Sequence, residues 1–275
     1  MSSPSTSASK LTEPNHRSSA FTLPRRGETI VSSLTHTQYV IEDYIDQGSF
    51  GYVFGCTDDW QDDLVAKILK PGDLTLSQIE QKALRELQAL VHVRHKNIIG
   101  VRDAFVYKGA CYLITERCEF PLRDAITHPD FDPTYWFESF ARCLLQAVHF
   151  THVQNVVHCD IHPGNVFVQF VFDDADQNRS LTTFKLGDFG LARAYNAVSS
   201  QGTFLDTIRP PEAIDPDEFG APNIQVDIYH AGLLLLQFLK KQVITFTQDE
   251  ILAGVPRQLA LTLDEPYRAV VADML

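Results

Sequence analysis

The chain has 275 residues, 44% of them hydrophobic, and acidic side chains outnumber basic ones to leave a formal net charge of −12. A polypeptide of this length builds one large domain or two small ones around a sizeable core. So acidic a balance disfavours binding spread over nucleic acid or an anionic membrane surface. The five scattered cysteines lack any C-x-x-C pair, which points to free thiols in a reducing, intracellular compartment rather than to a disulfide framework or a zinc site. The longest apolar run, residues 231–236, falls well short of the ~20 residues a bilayer span needs. Nor does the N-terminus carry the charged start and apolar stretch of a secretory signal.

Residues 1–36 are rich in Ser and Thr, with Pro4, Pro14 and Pro24 between them, and are expected to form a disordered tail. From Tyr39 the pattern changes to short β-runs bounded by turn residues: 39–41 and 44–45, a glycine turn, 52–56, an acidic turn at Asp58-Asp59, and 64–69. A helix is expected next, opened by Ser77 with Glu80 as a capping box and carrying Ile79, Ala83, Leu87, Leu90 and Val91 on one stripe. Strands at 101–106 and 111–116 follow. Beyond Pro121 helical signals dominate, over 135–153 and 226–239. The order is a small sheet with one helix, then a mainly helical half.

Several residues along this order carry chemistry. Gly48-Ser49-Phe50-Gly51-Tyr52-Val53 stands between two strands, where small residues let backbone N–H groups approach phosphates. Lys67 sits in an apolar strand, and a cation placed in the interior needs a partner; Glu86, on the expected helix, can supply it. The densest cluster is His158-Cys159-Asp160-Ile161-His162-Pro163-Gly164-Asn165, followed by Lys185-Leu186-Gly187-Asp188-Phe189-Gly190. Asp160, Asn165 and Asp188 are three hard oxygen groups of the kind a Mg-nucleotide site uses.

In this order the motifs resemble those of the eukaryotic protein kinase family, over residues 39–275. Arg209-Pro210-Pro211-Glu212 resembles the end of an activation segment, and Asp227-Ile228-Tyr229-His230-Ala231-Gly232 the start of the buried helix beneath the catalytic loop. The resemblance implies an α+β, two-lobed fold: an antiparallel sheet with one helix over 37–118, and a mainly helical lobe over 119–275 that is shortened at its C-terminus. It implies ATP and Mg²⁺ as cofactors and a protein substrate, with neither nucleic acid nor membrane as partner. Lys67 would contact the phosphates, held by Glu86. Asp160 would accept the proton of the substrate hydroxyl, while Asn165 and Asp188 would bind the metal. Gly48 and Gly51 would cover the phosphates. Thr115 would back the adenine pocket, Glu116 and Cys118 would hydrogen-bond the base, and Val53, Val65 and Phe167 would sandwich it.

The chain departs from that pattern at named positions. Asp46 replaces the first glycine of the loop, which is expected to weaken nucleotide binding. Val65 replaces an alanine and narrows the pocket. Cys159 replaces the arginine that receives an activation-segment phosphate, so activity should not depend on docking such a phosphate there. His162 replaces a lysine near the transferred phosphoryl group, and the string 160–165 also resembles aminoglycoside and choline phosphotransferases. Residues 172–180 read as the solvated tip of an extended hairpin. The leading expectation is a serine/threonine protein kinase; a pseudokinase scaffold and a small-molecule kinase are the alternatives. The resemblance leaves Glu212 without its usual arginine partner, so a regulatory partner covering the shortened lobe is a further expectation.

Overall fold

The computed structural model describes residues 22–48, 51–69, 78, 94–173, 176–199, 202 and 204–275. Glu86 and, Gln78 apart, the capped helix expected from Ser77 onward lie outside the described residues. The first half is a six-stranded antiparallel sheet in the order β1-β2-β3-β4-β6-β5. Its strands are β1 (Thr29–Val31), β2 (Gln38–Gln47), β3 (Gly51–Asp58), β4 (Asp63–Leu69), β5 (Val101–Tyr107) and β6 (Ala110–Glu116).

Period-2 alternation divides β4 between two tasks. Leu64, Ala66 and Ile68 point into a core with Ile30, Phe54, Cys56, Tyr112 and Ile114, leaving Val65 and Lys67 on the other face. Stacked rings extend that core, with Tyr39 5.9 Å from Phe105 and Phe105 5.7 Å from Tyr112.

Strand β1 corrects the expectation that residues 1–36 form a tail without structure. Ile30 is fully buried, Thr29–Val31 pairs with Gln38–Val40 of β2, and the Ser32 hydroxyl accepts the Leu34 and Thr35 N–H groups to close the turn. The sheet therefore begins inside a Ser/Thr-rich stretch, because one isoleucine and a capping serine suffice where a ready partner strand is available.

In the second half, α1 (Leu122–Ile126) follows a short strand β7 (Phe120–Pro121). Helix α2 (Pro133–Val153) is started by Asp132, whose carboxylate accepts the Thr134 and Tyr135 N–H groups, with Pro133 in its first turn. Phe140, Leu144, Ala147, Val148 and Thr151 recur at helical spacing on its buried face. Helix α3 (Gln225–Lys240) is buried on all sides from Val226 to Phe238 except at Ile228. A helix buried on nearly every side belongs in the middle of a core, and α3 packs on α2 there. A short pair, β8 (Val156–Val157) with β11 (Arg193–Ala194), and a long hairpin, β9 (Val166–Asp173) with β10 (Asp176–Leu186), stand between the helices and the sheet. This is the α+β architecture expected from the sequence. Among the described residues, no helix is long and apolar enough to cross a membrane.

Candidate active site

A cavity of about 630 Å³ lies between the sheet and the helical half, within the ~300–1,000 Å³ typical of small-molecule sites. Strand register builds its roof. Lys67 stands opposite Val53 on β3 and Leu113 on β6, and Val65 stands opposite Thr115, so these side chains share the face that looks into the cavity. Gly51 lies at the start of β3 against the Ile68 carbonyl, where an added Cβ would come within 2.5 Å of the oxygen. Gly48 donates its N–H to the Gly51 carbonyl at 3.0 Å, which closes the loop above the cavity.

The back and floor come from the residues just before β5, the end of β6, the start of β9 and the end of β10. Ile99 and Phe167 press on Gly187 so closely that a Cβ there would sit 2.7 and 3.1 Å from them. The Glu116 carboxylate is fastened at both oxygens, accepting the Gly100 N–H at 2.6 Å and the Lys185 ammonium at 2.7 Å. Cys118 lines the same wall, its thiol pushed up to about 12 by burial.

The loop of residues 158–165 hangs from α3. Asp227 is fully buried and accepts the backbone N–H groups of His158 and Cys159 at 2.8 Å each, and its Oδ2 lies 2.9 Å from His152 Nε2. Burial alone would raise its carboxyl, but the His152 hydrogen bond and the surrounding donors hold it below the usual carboxylate value. Cys159 takes φ 64°, a left-handed conformation that costs a residue with a Cβ about 1–2 kcal/mol and persists only where its surroundings impose it. Its thiol is buried, pushed up to about 12 by desolvation, and packed in an apolar cluster with Val157, Phe204, Ala213 and Val226, against which Val198 also rests. The residue at that position is an uncharged thiol, and Arg193 is a nearby basic side chain whose charge reaches it.

Two histidines of the loop are fixed in one tautomer. His158 Nδ1 accepts the Asp160 N–H at 3.3 Å, so Nε2 carries the hydrogen that meets the Gly187 carbonyl at 3.0 Å. His162 Nδ1 accepts the Gly164 N–H at 3.0 Å, which again leaves the hydrogen on Nε2. Burial pushes the His162 imidazole down to about 4, so the ring is neutral near pH 7.

Asp160 is oriented by Asn165, whose amide donates to the Asp160 backbone oxygen and to Oδ2, both at 2.9 Å; Oδ1 is buried and has no hydrogen-bond partner among the described residues. Burial and then the neighbouring Asp188 raise the Asp160 carboxyl to about 7. Lys67 Nζ meets Asp188 Oδ1 at 2.5 Å. Desolvation would raise Asp188, but Lys67 brings it below the ordinary carboxylate value. Asp188 has φ 58° and heads a 3₁₀ turn, Phe189–Leu191. It thus occupies the position beside Lys67 among the described residues, where the sequence pointed to Glu86.

The structure gathers Lys67, Asp160, Asn165, Asp188, Gly48, Gly51, Val53, Val65, Glu116, Cys118 and Phe167 around one cavity. Sequence reasoning did not anticipate Arg123, Leu205 or Val101 there. Arg123, on α1, closes the mouth by a 3.0 Å ion pair to Asp46. That contact offsets the negative charge expected to repel phosphate, and the Gln47 N–H and Arg123 together hold the Asp46 carboxyl below its ordinary value.

Comparison with known proteins agrees with this geometry. Residues 39–267 match the protein kinase domain family. The probable serine/threonine-protein kinase zyg-1 of Caenorhabditis briggsae is 33% identical over 72% of this chain and 26% of its own length. The mitogen-activated protein kinase mpkC of Aspergillus clavatus is 29% identical over 78% of this chain and 53% of its own. Cyclin-dependent kinase 7 of Dictyostelium discoideum is 29% identical over 74% of this chain and 55% of its own. The chain thus spans between a quarter and just over half of these relatives' lengths.

Proposed function

This chain belongs to the protein kinase family, and from that premise we propose that it transfers the terminal phosphoryl group of ATP to serine or threonine hydroxyls of protein substrates. The observation that carries the reading is Asp160, whose Asn165-oriented carboxylate leaves buried Oδ1 without a partner among the described residues, beside the cavity. A hydroxyl presented there meets an acceptor already aimed and desolvated, and positioning supplies much of the catalysis in phosphoryl transfer.

Asn165 and Asp188 are hard oxygen ligands of the kind that hold Mg²⁺ together with substrate phosphates; when bound, the cation neutralises phosphate charge. Lys67 provides a fixed cation beside them, restrained by Asp188. Val53, Val65 and Phe167 form apolar walls suited to a planar base, with Thr115 behind it and the Glu116 and Cys118 backbone at its edge. Gly48 and Gly51, at the two ends of the loop, carry no side chain of their own to keep the backbone from the phosphates. Serine/threonine direction is favoured by the Pro163-Gly164-Asn165 loop and by the printed name of the zyg-1 relative. We read residues 37–118 and 119–275 as the two lobes, and the five free cysteines as suited to a reducing, intracellular compartment.

Phosphate transfer to a generic basic or acidic protein by wild type and by Asp160→Asn tests the proposal. Wild type should transfer and the variant should lose at least about a hundredfold in rate. Equal signal from both, or none from wild type with Mg-ATP bound, would overturn it in favour of a scaffold that binds nucleotide without turnover. Transfer to metabolites and never to protein would favour a small-molecule kinase.

A further inference from the structure

We propose that His162 serves the transfer site as a neutral hydrogen-bond donor, its Nε2–H reaching an oxygen of the terminal phosphoryl group of a bound nucleoside triphosphate. This role deepens the reading of the cavity as a nucleotide site and rests on it.

Four observations converge on the imidazole. Its Nδ1 accepts the Gly164 N–H at 3.0 Å, and since a backbone N–H can only donate, Nδ1 carries no hydrogen and the ring holds its single hydrogen on Nε2. That Nε2 lies 3.8 Å from Asp160 Oδ2, beyond hydrogen-bond reach, and Oδ2 is already taken by Asn165. His162 Nε2 makes no hydrogen bond to any described residue, yet its side chain is about one quarter exposed and lines the cavity. The neighbouring basic groups are engaged, Lys67 by Asp188 and Arg123 by Asp46. A donor held without a partner at the edge of a cavity suits an acceptor brought by the ligand.

The surrounding turn is built to aim it. The His162 carbonyl accepts the Asn165 N–H and the Pro163 carbonyl accepts the Arg123 N–H, each at 2.9 Å, which fixes the loop on either side of the ring. Gly164 leaves the space the ring fills: a Cβ there would stand 2.8 Å from Cε1 and 3.1 Å from Nδ1. Any larger residue would push the imidazole off its seat. The sequence His162-Pro163-Gly164 therefore replaces a long flexible cation with a short, rigid, uncharged donor. It acts by direction rather than by charge.

Calorimetry with the magnesium complexes of AMP-PNP and ADP separates this role from a structural one, because only the first nucleotide carries a terminal phosphoryl group. His162→Ala should weaken AMP-PNP binding by up to about tenfold, the range of one neutral hydrogen bond, and leave ADP within about twofold. His162→Gln, whose amide N–H can stand near the Nε2 position, should restore most of the loss. Gly164→Ala, which displaces the ring without removing it, should follow His162→Ala. Equal weakening of both nucleotides would overturn the inference, as would rescue by His162→Lys but not by Gln, since charge would then be what matters. A His162-dependent preference for AMP-PNP in a protein that phosphorylates no protein substrate would leave the donor role standing and remove the kinase activity. Wild type that binds neither nucleotide would remove both.

Discussion

Asp227, at the start of the central helix, grips the backbone of Cys159 through a 2.8 Å hydrogen bond and holds that residue in a left-handed conformation one position before Asp160. The core thereby sets the geometry of the loop that carries Asp160. Asp227→Ala strands two buried backbone N–H groups and should destabilise the chain by about 3 kcal/mol or more, read from urea unfolding. His152→Ala, which removes one outer partner, should cost clearly less. Because the folded carboxyl is held below its unfolded value, this stabilisation is present above about pH 4 and fades as the pH falls further.

The pairing of Lys67 with Asp188 sets a second expectation. Lys67→Met leaves a largely buried carboxylate without its cation, so it should lower stability as well as reduce phosphate transfer by at least about a hundredfold. Adding Asp188→Asn should recover stability without recovering transfer. A double-mutant cycle by thermal unfolding checks this, and additive losses would show that the contact carries no coupling.

At the mouth of the cleft, Arg123 and Asp46 are both about half exposed, so their pair is worth only ~0.2–1 kcal/mol to stability and weakens with salt. Its larger effect falls on ligand binding. Arg123→Gln should uncover the Asp46 charge and weaken nucleotide binding by about two- to fivefold at low ionic strength, with the double variant Asp46→Asn/Arg123→Gln restoring it. Titration calorimetry at two salt concentrations measures the difference. Asp46→Asn alone should bind at least as well as wild type.

Acid sensitivity should centre on His230. It is fully buried in α3, neither ring nitrogen makes a hydrogen bond of good geometry to any described residue, and burial pushes the imidazole down to about 4 despite nearby Asp227. A depressed folded value means that the unfolded chain takes up protons first. Stability is therefore full above about pH 6.5 and is lost as the pH falls towards 4, by no more than about 3 kcal/mol from this residue. His230→Phe should flatten that part of the stability profile in a pH series of urea melts. An unchanged slope would assign the loss to other groups.

The strands and long helices were legible because alternation, the acidic turn at Asp58-Asp59 and apolar residues at helical spacing are local signals. The cavity-lining residues were legible through ordered motifs, with Lys67, Asp160, Asn165 and Asp188 reaching one cavity as their order implied. What escaped depends on distance or direction. Asp46 and Arg123 lie 77 positions apart, and each is unremarkable alone. Strand β1 hid in a serine-rich stretch because its stability comes from a neighbouring strand rather than from its own three residues. The tautomer of His162 depends on where the Gly164 N–H points, which no spacing encodes.

The apolar cluster around Cys159 also constrains how this sequence can change. An arginine introduced there would face Val157, Phe204, Ala213 and Val226, and an unpaired buried cation costs several kcal/mol against a total stability of about 5–15 kcal/mol. The position is thus entrenched. A substitution that reads as a simple return to the family pattern would be tolerated only after Phe204 and its neighbours had already become polar, so the order of the changes, and not only their sum, decides which variants of this chain can exist.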